Sequence, residues 1–347
     1  MFFKIVPQSI LQTPAPNDAY FLQAWAFCQS YLDGEKEFVL QTSGSTGQPK
    51  PIILTHRQMQ ASAHMTQQAL GLQNGENALV CLNISYIAGT MMLVRGLEIG
   101  LTLYVVPPSS DPFSEIPKDI HLDFAAFVPL QLQTLLEHNR HDLLNKLKVI
   151  IVGGAAVNIP LLAQIQQLNV PVFSTYGMTE TVSHVALRKL NGKDASDSFE
   201  LLEGIEATTD ERSCLRLKSA VTNNEWIQTN DVVEWTDNQH FRLVGRSDNI
   251  INSGGVKIQL EKVERVIESI WGSSLRYFVW WQPDERLGQK LILVVEANQT
   301  FDNESLRMNL ERLLSPYEIP KEILCYKKFI ETPTGKVDKR RTFEENK

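Results

Sequence analysis

The chain reads as an α/β protein with a large N-terminal domain, residues 1–246, and a smaller α+β domain over residues 247–347. The large domain is expected to hold a mainly parallel sheet flanked by helices, plus a small antiparallel β unit. Three observations predict this arrangement. Short apolar runs alternate with helix-patterned segments through the first half, and the texture changes near residue 200 to short alternating segments. Near residue 250 an apolar run, a Gly-Gly turn and an amphipathic helix then open a new unit. A length of 347 residues also exceeds what one core usually serves, so two units are expected.

FVLQ at 38–41 reads as a buried strand ending in a Ser/Thr/Gly stretch, and residues 51–70 carry helical spacing, which predicts strand, loop, helix. NALVCLN (77–83), LTLYVVPP (101–108), DFAAFVP (123–129) and KVIIVGG (148–154) read as further buried strands. QLQTLLEHNRHDLL and NIPLLAQIQQL have apolar residues at three-and-four spacing, as helices between strands should. Ligands of such sheets sit at the carboxyl ends of the strands. SCLRLKSA, DVVEWTD and HFRLVGR predict antiparallel strands of a smaller sheet or barrel. NIINSGGVKIQLEKVERVIESI predicts a strand, a turn and a helix from 259 to 270, and RYFVWW, KLILVVEA, a helix near 303–314 and a basic tail complete the second unit.

Composition narrows the function classes. With 33 Lys+Arg against 40 Asp+Glu the net charge is -7, which argues against a general nucleic-acid or membrane-surface binder. MFFKIVPQSI lacks the pattern of a secretory signal, and no apolar stretch approaches the ~20 residues of a membrane span, so a cytoplasmic location is expected. Cys28, Cys81, Cys214 and Cys325 form no CxxC pair, which predicts buried free thiols. His56 and His64 are eight apart, off the one-turn spacing of two ligands on one metal.

The densest chemical signal is Thr42-Ser43-Gly44-Ser45-Thr46-Gly47-Gln48-Pro49-Lys50, directly after a predicted strand. Its glycines let backbone N–H groups approach an anion, its hydroxyls add donors and Lys50 adds a point charge, so it reads as a phosphate loop. Gly44 and Gly47 have two residues between them, which excludes a Walker A loop, and there is no GxGxxG fingerprint.

This loop resembles the signature of the acyl-adenylate-forming superfamily, which includes acyl-CoA synthetases, peptide-synthetase adenylation domains and luciferases. Tyr176-Gly177-Met178-Thr179-Glu180-Thr181, Thr229-Asn230-Asp231, Gly245-Arg246-Ser247-Asp248 and Pro333-Thr334-Gly335-Lys336 follow in the superfamily's order. The resemblance covers the chain from about residue 38 to its end. It implies that ATP activates a carboxylic acid as an acyl-adenylate, with Mg²⁺ present, and that a thiol such as that of CoA then takes the acyl group. Charge builds on phosphoryl oxygens during the first step, so cations in place beforehand stabilise it.

By this resemblance Lys336 bridges carboxylate and phosphate, Arg246 meets the phosphates, and Glu180 is the catalytic carboxylate that holds Mg²⁺ partly through water and ATP phosphates. Tyr176 lends a flat face to adenine, with Thr175, Gly177 and Thr179 beside it. Gly153-Gly154-Ala155 let the base approach the backbone, and Asp231 accepts from the ribose hydroxyls. The C-terminal domain is expected to be mobile, turning about Asp248 to exchange the Lys336 loop for the Ser253-Gly254-Gly255 loop, which serves the thioester step.

The acid's identity is sought in Asn83–Arg95, which resembles the superfamily's acyl-pocket segment. Arg95 stands in the apolar stretch MMLVRGL and must find an anion or reach water. With Ser183, three residues after Glu180, it resembles the pattern of ligases whose acid keeps a second carboxylate for a bidentate arginine. Tyr86 stands where many relatives have histidine. Only 41 residues precede the phosphate loop, where the superfamily has a hundred or more, and a homodimer is one way to cover the surface this exposes. Two alternatives stay open: another acyl- or aryl-CoA ligase or a stand-alone adenylation domain loading a carrier protein, and a nucleotide-binding protein without turnover.

Overall fold

The computed structural model describes residues 1–41, 51–272, 275–297, 303–332 and 337–346. Along the first part the elements are β1 (Phe3–Ile5), α1 (Ala19–Leu32), β2 (Glu37–Gln41), β3 (Pro51–Thr55), α2 (His56–Leu70), β4 (Asn77–Val80), α3 (Ile87–Ile99) and β5 (Thr102–Val105). β6 (Phe124–Phe127), α4 (Pro129–Glu137), α5 (His141–Leu144), β7 (Val149–Val152), α6 (Ile159–Ile165) and β8 (Val172–Gly177) follow. β9 (His184–Lys189), β10 (Phe199–Leu201), β11 (Glu206–Thr209), β12 (Cys214–Lys218), β13 (Ile227–Trp235) and β14 (His240–Arg246) complete it.

Strands β5, β4, β6, β7 and β8 pair in parallel in that order. They are short and mostly apolar because both faces are covered, as parallel sheets require. Successive residues alternate between two cores. Phe124, Ala126, Val149 and Ile151 pack with Phe21 of α1, Met59 of α2 and Met91 of α3, whereas Phe127, Ile150 and Val152 pack with Leu132 of α4 and Ile165 of α6.

Two expectations are corrected here. Residues 51–55 form a strand rather than the start of the helix, paired with β2 from Glu37↔Thr55 to Gln41↔Pro51. Its β-branched isoleucines favour an extended backbone, and the helix starts only at a capping box in which Thr55 Oγ1 accepts from Gln58 N–H and Gln58 reaches back to the Thr55 N–H. The antiparallel strands near residues 200–246 are no separate sheet or barrel. β8 turns back into β9, and β10, β14, β13, β12 and β11 continue the same twelve-stranded sheet. α1, in the part outside the resemblance, is capped by Asp18 and buries Phe21, Ala24, Cys28 and Tyr31 on one face of that sheet.

A second sheet begins after Arg246 with β15 (Ile250–Ser253), β16 (Val256–Gln259), α7 (Leu260–Trp271), β17 (Tyr277–Asp284), β18 (Gly288–Glu296), α8 (Asn303–Leu313), β19 (Glu322–Tyr326) and α9 (Lys339–Glu345). Its order is β16-β15-β18-β17, with β19 parallel to β18, and its core of Ile258, Val263, Ile267, Val279 and Leu293 is its own. Gln259 Nε2 donates to Arg246 O at 3.0 Å and Ile159 N–H donates to Glu268 at 3.2 Å, joining the two units in this arrangement. Among the described residues no helix is long and apolar enough to cross a membrane.

Candidate active site

The carboxyl ends of β7 and β8 lie side by side. A Cβ on Gly153 would stand 2.0 Å from Thr175 Oγ1, so only glycine permits this approach, and Gly154 follows at φ +83° with Ala155 exposed beside it. Tyr176, one residue further along β8, is 7% exposed, with its ring packed against Phe199 and Phe241. The ring is thus held by aromatic packing, and its hydroxyl bonds across to β13.

That hydroxyl donates to Asp231 Oδ2 at 2.6 Å, and burial followed by the Asp231 charge pushes its pKa up. Asp231 lies opposite Arg246 in the β13–β14 register, and Arg246 Nη1 donates to Asp231 Oδ1 at 3.2 Å. The other edge of the guanidinium grips Asp248, Nε to Oδ1 at 2.9 Å and Nη2 to Oδ2 at 2.6 Å. The Asp248 bond is the main reason the Arg246 pKa is raised. Burial pushes the Asp248 carboxyl up, but the Arg246 hydrogen bond and charge outweigh it and hold the carboxyl below its usual range. Tyr176, Asp231, Arg246 and Asp248 thus form one hydrogen-bonded chain.

Between β8 and β9 the backbone makes a tight reversal. Glu180 is exposed on the short 3-10 turn Thr179–Thr181. Val182 follows at φ +63°, ψ −55°, and Ser183 N–H donates to Thr181 O at 2.7 Å, a strained γ-turn on a β-branched residue. The fully buried Thr181 braces it, accepting from Met178 N–H and reaching Ser183 O. A Cβ on Gly177 would be 2.2 Å from Ser183 O, so glycine is required there as well.

The turn aims Ser183 at Arg95. Arg95, on α3, is 2% exposed; its Nη2 donates to Ser183 Oγ at 2.8 Å, its Nε to Thr66 Oγ1 at 3.2 Å, and its Nη1 faces Met92 Sδ at 3.6 Å. Burial lowers its pKa to about 10. Among the described residues no carboxylate pairs with it; Thr66, Ser183 and Met92 are its partners. Tyr86 caps the start of the same helix, and a Cβ on Gly89 would meet Asn83 O at 2.4 Å, which fixes the entry to the helix.

Other predicted residues stand apart. Ser253 is buried and paired with Val256 across a two-residue turn in which Gly254 and Gly255 have φ +61° and +86°. Gly254 N–H donates to Leu287 O within the second unit. Thr42, Ser43, Gly44, Ser45, Thr46, Gly47 and Lys50, which fall between β2 and β3 in sequence, and Lys336 lie outside the described residues. Thr66 and His184 were missed by sequence reasoning. A lone histidine in the apolar strand HVAL was the available signal, but nothing in the spacing links it to a threonine 118 residues earlier. Among the described residues no group of three or more His, Cys, Asp or Glu could hold a metal alone. Glu180, exposed at the strand ends, suits an ion completed by phosphates and waters.

Fold and site together define an α/β protein with a hydrogen-bonded Tyr176–Asp231–Arg246–Asp248 chain and, apart from it, a buried arginine, Arg95, held by Thr66, Ser183 and Met92. The profile of the family described as AMP-binding enzyme matches residues 35–200. An acyl-CoA synthetase (AMP-forming)/AMP-acid ligase II-like protein from Dyadobacter fermentans is 45% identical over 100% of both chains, with a TM-score of 0.70. The chain belongs to the AMP-binding enzyme family. A 2-succinylbenzoate–CoA ligase of Listeria monocytogenes is 25% identical over 324 residues, 88% of this chain and 69% of that one. The o-succinylbenzoate coenzyme A synthetase of Bacillus subtilis, in complex with ATP and magnesium ion, shares the fold at TM-score 0.74 and 21% identity, covering 88% of this chain and 69% of that one.

Proposed function

We propose that the chain is an AMP-forming acid–thiol ligase that converts 2-succinylbenzoate to its CoA thioester in menaquinone biosynthesis, in the cytoplasm where ATP and CoA are at hand. A carboxylate oxygen of the acid attacks the α-phosphorus of ATP and pyrophosphate leaves. The CoA thiolate then attacks the acyl carbon and AMP leaves. Asp231 orients the ribose, with Tyr176 fixing one of its oxygens and Arg246 the other. Lys336 and Arg246 meet the charge on the phosphoryl oxygens, with donors from the Thr42–Lys50 loop. Mg²⁺, held through Glu180, supplies further charge neutralisation on the phosphates.

The observation that carries the substrate is Arg95. A buried guanidinium without a carboxylate is costly, and a guanidinium has five N–H donors, of which three have partners here. Two N–H groups remain for the oxygens of a second substrate carboxylate, with Ser183 beside them. Residues 1–246 and 247–347 are read as two bodies joined at Asp248, whose grip on Arg246 would loosen as the second body turns between the two steps.

The test is thioester formation with ATP and Mg²⁺ from 2-succinylbenzoate, benzoate and a medium-chain fatty acid, for wild type and Lys336→Ala. Thioester from the dicarboxylate alone is expected, with adenylation falling on the order of 10²-fold in the variant. Turnover of only the other acids would discard the dicarboxylate, and silence with all would discard the ligase.

A further inference from the structure

The environment of Arg95 contains a second polar layer that the proposed reaction does not use directly. Thr66, on α2, is fully buried, and its Oγ1 donates to Ser62 O at 2.9 Å. A hydroxyl has one proton and two lone pairs. With the proton spent on Ser62 O, the contacts of Thr66 Oγ1 to Arg95 Nε at 3.2 Å and to His184 Nε2 at 3.1 Å must both be accepted bonds. His184 Nε2 therefore carries a hydrogen.

The imidazole is 5% exposed, and burial, followed by the Arg95 charge, holds its pKa well below the usual value, so it is neutral. Nδ1 is then bare, and it faces Ser183 Oγ at 3.5 Å. The Ser183 proton has Nδ1 as its acceptor, which leaves the Oγ lone pairs to receive Arg95 Nη2. Each hydrogen bond of this layer thus has one assigned direction, and Thr66 Oγ1 and Ser183 Oγ both accept from the guanidinium. A cationic His184 would repel Arg95 and the layer would lose that order.

We infer that Thr66 and His184 are positioning residues that hold Arg95 and Ser183 in place for the second carboxylate of the acid, and so set the preference for a dicarboxylate over a monocarboxylate. This rests on the reaction proposed above. Neither residue need touch the reacting atoms; each acts through the orientation of a group that does.

The experiment compares kcat and KM for 2-succinylbenzoate and for two analogues, each lacking one of its carboxylates, in wild type, Thr66→Val, Thr66→Ser and His184→Asn. Thermal unfolding of each variant is measured alongside. Thr66→Val is expected to raise KM for the dicarboxylate about ten-fold with a smaller change in kcat, and to lower selectivity over the better analogue by a similar factor. Thr66→Ser, which keeps the hydroxyl, should restore most of it, and His184→Asn should act in the same direction as Thr66→Val and replace it if that variant does not fold. Equal losses for the dicarboxylate and the analogue in folded variants, or no loss, would overturn the positioning role while leaving the reaction standing. A wild type that turns over the analogue but not the dicarboxylate would overturn the substrate reading and this inference with it.

Discussion

Two arginines of this chain are shifted in opposite directions for opposite reasons. Arg246 is saturated with carboxylates, Asp231 on one edge and Asp248 on the other, and its pKa is raised. Arg95 is buried among a threonine, a serine and a methionine, and its pKa is lowered. The first is a charge already spent on holding structure, free to be redistributed when an anion or a domain movement competes for it. The second is a charge kept in reserve, stable only because hydroxyls and a sulfur solvate it in part. On the proposed function, the first kind would serve a nucleotide site whose parts move, and the second a pocket that selects one acid.

The contrast is broken most strongly at Arg95. Arg95→Met removes the reserve charge, and kcat/KM for a dicarboxylate should fall on the order of 10²-fold relative to a monocarboxylate of similar shape, as read by thioester formation. Equal loss for both acids would remove Arg95 from the role of clamp. Gly177→Ala presses a methyl group onto Ser183 O and should destabilise the fold by about 2 kcal/mol, seen as a lower denaturant midpoint at unchanged m-value. At Arg246 a smaller effect is expected. Asp248→Asn weakens the bidentate grip and, if the second body turns between the steps as proposed, should slow thioester formation from preformed acyl-adenylate about five-fold more than pyrophosphate exchange.

The smallest effect sharpens the pH side of the comparison. His184 is neutral when folded, whereas an unfolded histidine binds a proton below about 6.5. The unfolded state therefore gains protons first as pH falls, and stability is lost through that window, by about 1 kcal/mol between pH 6.5 and 5.5. His184→Asn should flatten this slope in urea titrations at the two pH values; an unchanged slope would mean that the folded protein accepts a proton there.

Much of the nucleotide end was legible because its residues are contiguous. Gly153-Gly154 follows an apolar strand, and Tyr176 to Glu180 runs unbroken along β8 and its turn. Arg95 was legible from one charge in an apolar stretch. Its surroundings were not, since Thr66, Arg95 and His184 come from α2, α3 and β9 and meet only through the packing of two helices on one strand. The strand Pro51–Thr55 was misread as helix because apolar spacing in a short run fits both states, although the Thr55–Gln58 capping box was in view. The joining of the antiparallel strands to the parallel sheet was hidden for a similar reason: pairing of β10 with β14 is set by partners about forty residues apart, with no local signature.

The β8–β9 reversal places Tyr176, which donates to Asp231, and Ser183, which receives Arg95, on one short hairpin bent at Val182. On the proposed function, nucleotide and acid would meet the two ends of this one hairpin. Any coupling carried through it would be reciprocal, the acid tightening ATP by the same factor that ATP tightens the acid.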